Sequence, residues 1–230
     1  MKAVKILGLQ KLTLLDYPGK TACTVFTGGC NFRCPYCHNA SVVFESEHAV
    51  SHDELFAFLK KRRNILDGVC ITGGEPLIND DIEFLIKEIR NLGYLIKLDT
   101  NGYFPEKLEY LIGRQYIDYA AMDIKNSLPR YAQTVGVTLD TDKIKESAKI
   151  LMSGNTEYEF RTTAVRELHD ENSFEEIGQW LNGAKRYFLQ SFVDSGNLIG
   201  SGMSGFTEAE MSNFKEIVSK YITDTELRGI

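Results

Sequence analysis

The chain has 230 residues, 43% hydrophobic and 25% charged, with 26 basic and 32 acidic side chains and a formal charge of −6. That length carries one sizeable core, as a single large α/β domain or two small ones. The acidic balance excludes the general electrostatic footprint of a nucleic-acid binder and leaves only a local basic patch open. The longest uninterrupted apolar run, Leu55 to Leu59, is far too short to span a bilayer. The opening MKAVKILGLQ turns polar too early for a signal peptide. A soluble cytoplasmic protein is expected, with no membrane and no nucleic acid among its partners.

Residues 1–20 are expected to form a leading strand or hairpin. Six short β-rich runs follow, at Cys23–Thr27, Gly68–Thr72, Tyr94–Asp99, Ile117–Asp123, Glu157–Thr163 and Lys185–Gln190. Helical patterns separate them, several with start signals. Ser51 to Glu54 reads as a capping box ahead of LFAFLKKR, hydroxyl and carboxylate each satisfying an orphan backbone N–H. Asn79, Asp80 and Asp81 place a cap and acidic first-turn residues before IEFLIKEIR, where the helix dipole favours them. In that segment Ile82, Leu85, Ile86 and Ile89 share one apolar stripe. Pro105 suits the first helical position of the next segment. Ser173–Glu176 and Thr207–Glu210 repeat the capping-box pattern ahead of IGQWL and MSNFKEIVSKYI.

Strand then helix, six times over, implies a parallel sheet with right-handed crossovers. Eight such units typically take about 250 residues. The expected architecture is therefore α/β, a partial (βα)6 barrel open on one side. It forms one domain over 1–230, with a leader (1–20), a core (21–192) and a C-terminal loop and helix (193–230). A doubly wound Rossmann-like sheet is the alternative. In both, function belongs in the loops at the C-terminal ends of the strands.

The five cysteines make a poor disulfide framework, since three of them, Cys30, Cys34 and Cys37, fall within eight positions. Their C-x3-C-x2-C loop follows the first strand run directly, where an α/β site is expected. Three thiolates on a tight loop can ligate three irons of a 4Fe–4S cube and leave the fourth iron open to an outside ligand. Gly28 and Gly29 let the backbone turn closely, and Phe32, Pro35 and Tyr36 can shield a cluster from water. A zinc site with a distant fourth ligand is the alternative, although adjacent Cys37 and His38 lack the usual ligand separation. Cys23 and Cys70 read as buried apolar thiols within strands. His48, His52 and His169 have no ligand-spaced partners and read as surface residues, and Trp180 reads as core.

The Cys30–Cys37 loop, with an aromatic residue just before its third cysteine, is similar to the signature of radical S-adenosylmethionine (SAM) enzymes. LDYPGK at 15–20 and the Cys37-His-Asn39 sequence resemble the glycyl-radical-enzyme activases. Within that group the chain looks most like the small activating proteins of anaerobic ribonucleoside-triphosphate reductase. The resemblance runs over most of the chain, strongest in 14–40 and 70–125 and weak after about 165. It implies one 4Fe–4S cluster on Cys30, Cys34 and Cys37. The stretch between the cysteine loop and the second strand run is too short for a further cluster insert.

The remaining loops can be read both ways. Gly73 and Gly74 end the second strand run, where missing Cβ atoms bring backbone groups within reach of a ligand, and Glu75 adds an acceptor for a cationic amine. By resemblance this motif holds the amino group of SAM, while Tyr36 and His38 lie beside the nucleoside. Asp99-Thr-Asn-Gly102 and Met122-Asp-Ile-Lys125 end the third and fourth runs, and two carboxylates there would repel unless a cation or Lys125 lay between them. The resemblance assigns Asp99, Asn101, Asp123, Ile124 and Lys125 to SAM, and Asp99, Thr100, Asp123 and the Met122 carbonyl to a monovalent cation. Arg161 alternates with apolar residues and, pointing inward, would need an anionic partner; the resemblance makes that partner SAM. Gln190 is placed near the adenine, although this stretch lacks the His of pyruvate formate-lyase activases. Ordinary alternatives stay open, namely a plain turn at GGEP, a cap at Asp99, a surface ion pair of Asp123 with Lys125 and an outward Arg161.

The activity so implied starts with a flavodoxin- or ferredoxin-type donor reducing the cluster. SAM is then cleaved to methionine and a 5′-deoxyadenosyl radical, which removes a glycine Cα hydrogen from a partner glycyl radical enzyme. No general acid or base residue is required. The alternatives are a radical SAM enzyme acting on a small molecule or nucleobase, similar to 7-carboxy-7-deazaguanine synthase, and a non-catalytic iron–sulfur or zinc protein.

Overall fold

The computed structural model describes residues 4–45, 49–194, 196 and 198–229; the expectation for His48 falls outside them. Eight strands form one sheet in chain order: Ile6–Thr13 (β1), Ala22–Thr27 (β2), Gly68–Gly73 (β3), Leu95–Thr100 (β4), Tyr119–Asp123 (β5), Glu157–Ala164 (β6), Tyr187–Ser191 (β7) and Thr225–Arg228 (β8). β1 is antiparallel to β2, and β2 to β8 run parallel. The edges β1 and β8 do not pair among the described residues, so the barrel is partial and open, as expected. The leader is the antiparallel hairpin arm β1. Strand β8 adds to the six predicted runs; Thr225-Glu-Leu-Arg228 is short and half charged, with no apolar run to mark it.

The helices are Ala40–Val43 (α1), His52–Arg62 (α2), Ile82–Asn91 (α3), Pro105–Gly113 (α4), Tyr131–Val135 (α5), Thr141–Ser153 (α6), Glu171–Trp180 (α7) and Glu208–Ser219 (α8). Ser51 caps α2 by accepting from Glu54 N at 3.1 Å, and Thr207 with Glu210 forms a complete box on α8. Two starts differ from expectation. Asp170, not Ser173, caps α7, because its carboxylate reaches Ser173 N at 2.9 Å and so begins the helix earlier. Asn79 is no cap either: Pro76–Ile78 makes a 3-10 turn, and α3 begins after Asp81 without a side-chain cap.

The two faces of the sheet differ in kind. Outward side chains such as Val25, Ile71, Leu98, Met122 and Phe160 join the helices in one apolar core, to which α3 contributes its buried stripe of Ile82, Leu85, Ile86 and Ile89. Each such residue contributes roughly 1.5–3 kcal/mol by leaving water. Inward side chains are largely polar, and the barrel's N-terminal end is plugged by a separate apolar group of Tyr17, Ala22, Tyr119 and Leu95. No helix among the described residues is long and apolar enough to cross a membrane.

Candidate active site

The C-terminal ends of β2 to β6 surround a cavity of about 230 Å³. Its wall includes Cys30, Cys34, Cys37, Tyr36, His38, Gly73, Gly74, Asp99, Thr100, Asn101, Asp123, Lys125 and Arg161. The loops predicted from sequence thus meet at one place, at the strand ends where an α/β fold exposes them.

The cysteine loop is clamped from several sides. Arg33 Nη1 donates to the carbonyls of Cys30 and Phe32 at 2.6 and 2.7 Å. Arg33 N donates to Val135 O at 2.8 Å, which ties the loop to the end of α5. Gly200 N donates to Pro35 O at 2.7 Å, so the segment after β7 packs onto the same loop. All five cysteines are free. Burial pushes the Cys30 thiol up to about 11 and the Cys34 thiol up to about 12. The three loop cysteines share one cavity, yet no group of three or more Cys, His, Asp or Glu among the described residues is arranged to hold a single metal ion.

Gly73 and Gly74 line the cavity and also meet a packing need. A Cβ on Gly74 would stand 1.9 Å from Gly29 O, and one on Gly73, at φ +123°, would stand 2.3 Å from Thr27 O. The glycines let the end of β3 nest against the cysteine loop, where Gly74 N donates to Thr27 O and Glu75 N to Gly29 O. Asn39 Nδ2 donates to Gly73 O at 3.1 Å.

Several of the expected residues lie outside the cavity wall, and some side chains are more buried than expected. Glu75 is 0% exposed and does not line the cavity; it accepts from Leu77 N, Thr100 Oγ1 and Asn101 N at 3.0, 2.9 and 2.6 Å. It ties the loop after β3 to the end of β4 and the loop that follows it. Burial nevertheless raises its carboxyl to about 7 against those donors. Ile124 is buried, with its N–H given to Arg161 O and its carbonyl taken by Thr162 Oγ1. The Met122 side chain points into the apolar core, which leaves the expectation for its carbonyl untouched, and Gln190 is not part of the cavity wall. His169 is buried, hydrogen-bonded to Val165 and to Lys125 O and stacked on Phe174, so it is no surface residue. His52 is half-buried, with Nε2 2.8 Å from Val4 O. Trp180 is partly buried against the core, and Cys23 is an apolar core thiol. Cys70 instead faces the lumen, 3.7 Å from Asp99 Oδ1.

The charged wall is an alternating row. Lys97 Nζ bonds Asp99 Oδ1. Arg161 Nη1 reaches Asp99 Oδ2 at 3.2 Å, and Arg161 Nε reaches Asp123 Oδ1 at 2.9 Å. Lys125 Nζ bonds Asp123 Oδ2 at 3.0 Å. Burial alone would raise both carboxyls, but Arg161 together with Lys97 holds Asp99 below its usual range, and Arg161 together with Lys125 does so for Asp123. Arg161 therefore points inward and its partners are the two aspartates; the guanidinium fills the position between them that had been expected to hold Lys125 or a dissolved cation. Lys97 went unnoticed in the sequence. The signal was present, since Leu95, Lys97 and Asp99 share one face of β4 by strand alternation.

An open α/β barrel with three free thiols and a charged wall around one cavity is an enzyme scaffold with a place for a metal cluster. The radical SAM superfamily matches residues 24–181, and the chain belongs to that superfamily. A Methanocaldococcus jannaschii protein named "putative glycyl-radical enzyme activating enzyme" is 32% identical over 237 aligned positions, covering 100% of this chain and 98% of its own. A second protein of that name and organism is 28% identical over 87% of this chain and 78% of its own. A radical SAM methyltransferase from Sphaerobacter thermophilus has the same fold, with a TM-score of 0.74 at 14% identity over 94% of this chain and 68% of its own. Within the superfamily the chain groups with proteins named as glycyl-radical enzyme activating enzymes.

Superfamily membership implies a 4Fe–4S cluster and SAM, and the site can be tested for both. Three thiols line the cavity, and the Tyr36 hydroxyl is buried with no hydrogen-bond partner among the described residues. A buried hydroxyl without a partner is costly unless a ligand supplies one. The residues fit.

Proposed function

We propose that this chain is a glycyl-radical-enzyme activase whose protein substrate is an anaerobic ribonucleotide reductase. The observation that carries the reading is the full-length likeness to a protein named for glycyl-radical enzyme activation, 32% identical from end to end. Cys30, Cys34 and Cys37 would hold the cluster, and the cavity wall of Tyr36, His38, Asn101, Asp123 and Lys125 would hold SAM beside it. When bound, the reduced cluster and SAM together supply the 5′-deoxyadenosyl radical that takes a glycine Cα hydrogen. The chain's own residues bind, orient and exclude water, and no side chain is needed as a general acid or base. The unpaired edges β1 and β8 leave a side through which a glycine-bearing loop of another protein can reach the cavity. The electron donor in this reading is a flavodoxin or ferredoxin and the compartment is the cytoplasm.

One observation favours a second reading, that of a nucleobase-modifying enzyme. A 7-carboxy-7-deazaguanine synthase of Halobacterium salinarum is 39% identical, but over only 38% of this chain and 36% of its own. That partial overlap is what shared superfamily machinery produces. The deciding experiment incubates the reconstituted, reduced chain with SAM and candidate glycyl radical proteins under anaerobic conditions. The activase reading expects the doublet EPR signal of a glycyl radical together with 5′-deoxyadenosine. SAM cleavage with no glycyl radical on any candidate, but turnover of a deazaguanine precursor, would replace it with the second reading.

A further inference from the structure

The carboxylates of Asp99 and Asp123 have four oxygens, and each oxygen has a cationic partner from the chain itself. Lys97 takes Asp99 Oδ1, Arg161 takes Asp99 Oδ2 and Asp123 Oδ1, and Lys125 takes Asp123 Oδ2. Register explains the fit. Asp123 stands directly beside Arg161 across β5 and β6, Asp99 lies level with Ala121, and Lys97 lies level with Tyr119 one layer deeper. A long side chain rising from that deeper layer reaches the underside of Asp99, while Arg161 covers its upper oxygen. Lys97 is 1% exposed, so its ammonium has been taken out of water and is fixed by Asp99, with Cys70 Sγ 3.9 Å away. A buried ammonium is retained only where a counter-charge compensates its lost hydration. An alkali cation at Asp99 would have to share its oxygens with that ammonium and the guanidinium, whose like charges at such close range repel it. The aspartate pair therefore does not fit the monovalent cation that the sequence resemblance implied.

We propose that Lys97 is a tethered counter-cation. It occupies the Asp99 oxygen that a dissolved Na⁺ or K⁺ would otherwise take, and it makes the site independent of monovalent cations. Lys97 is thus a positioning residue: it touches neither the cavity nor a ligand, and it acts by holding Asp99 in place for Arg161. The thermal part of the test stands apart from the activase reading; the SAM part rests on the SAM-binding half of it.

The test uses the cluster-reconstituted chain in KCl, NaCl or tetramethylammonium chloride at equal ionic strength, with melting temperature and SAM affinity as readouts. The wild type is expected to melt at the same temperature in all three salts and to bind SAM within about twofold. Lys97→Ala is expected to melt roughly 6–20 °C lower in tetramethylammonium, the range for opening a buried ion pair in a chain of this size. It should recover at least half of that loss in K⁺ or Na⁺ by mass action. Lys97→Arg, which keeps the charge, should be insensitive to the salt. A wild type that is stabilised by K⁺ or Na⁺ over tetramethylammonium overturns the proposal. So does a Lys97→Ala chain whose loss no alkali cation relieves, because Lys97 then serves packing alone. If Lys97→Ala does not fold, the wild-type and Lys97→Arg arms still decide.

Discussion

Arg161 on β6 reaches past β5 to Asp99 on β4, its Nη1 lying 3.2 Å from Asp99 Oδ2, while its Nε holds Asp123 at 2.9 Å. One guanidinium thus ties three strand ends at the floor of the cavity. Replacing it by a side chain of similar length without charge, Arg161→Met, leaves two carboxylates short of a partner. Opening a buried pair costs about 3–5 kcal/mol. With the Arg161 side chain 15% exposed and that of Asp123 30% exposed, the low end applies. A fall in melting temperature of about 6–12 °C is expected, measured by calorimetry.

The same contacts set the acid limb. Asp99 and Asp123 have carboxyls held below their ordinary range, so they stabilise the fold at pH values above about 3.9. That stability is lost as pH falls below the ordinary value towards the depressed one. Arg161→Met should unfold at a visibly higher pH on acid titration followed by circular dichroism. Coincident acid transitions for variant and wild type would contradict the role given to Arg161.

Glu75 works in the opposite sense. Burial raises its carboxyl from an ordinary 4.5 to about 7, so the fold prefers it protonated. Its contribution is complete below pH 4.5 and is lost as pH rises through about 7. Buried His169 has its imidazole lowered by burial and drives stability the other way over part of that window, which is why a difference curve is needed. Wild-type stability minus that of Glu75→Gln should decline between pH 4.5 and 7 and then level off. His169 cancels in the subtraction. Below pH 4.5 the Gln variant should be less stable by about 1–3 kcal/mol, since its amide turns a donor towards a backbone N–H.

The proposed ligand set makes cluster assembly depend on the three loop thiols and not on the two strand thiols. Alanine at Cys30, Cys34 or Cys37 should abolish iron retention and the EPR signal of the reduced cluster after anaerobic reconstitution, whereas Cys23→Ala should retain both. Full iron content in any of the three loop variants would sink the assignment.

Two glycines give a matched steric test. Gly74→Ala would place a methyl 1.9 Å from Gly29 O and 3.2 Å from Cys30 Cβ, so the cysteine loop must move. Iron content should drop with it. Gly113→Ala, at the end of α4 with nothing within 4 Å of the added Cβ, should leave iron content unchanged and gain up to about 1 kcal/mol from helix propensity. Equal iron content in the two variants would mean that the close nesting of β3 on the cysteine loop does not matter for cluster uptake.

The legible part of the site was the part written locally. The Cys30–Cys37 spacing, the turn at Gly73 and Gly74 and the carboxylates closing β4 and β5 each sit within a few residues of a strand end, and all of them reach one cavity. The strand–helix alternation likewise predicted the parallel sheet. What stayed hidden depended on how separate strands register. Glu75 looked available to a ligand until Thr100 and Asn101, on another loop, took both of its oxygens. Lys97 was one lysine in an apolar strand until its level beside Cys70 and below Asp99 was known. Strand β8 had no apolar run of its own. Its hold comes from Arg228, which meets the buried Glu159 carboxylate at 2.8 and 3.0 Å, an ion pair between residues far apart in sequence.

The hydrogen bond from Gly200 to Pro35 joins a segment near the chain's end to the loop that carries the cysteines near its beginning. Contacts between such distant positions close a long loop and carry a large entropic cost, so they form late. A growing chain presents its three loop thiols before Gly200, which packs on Pro35, exists. The order of synthesis therefore gives a metal-delivery system an interval in which the cysteine loop can be loaded from an open face.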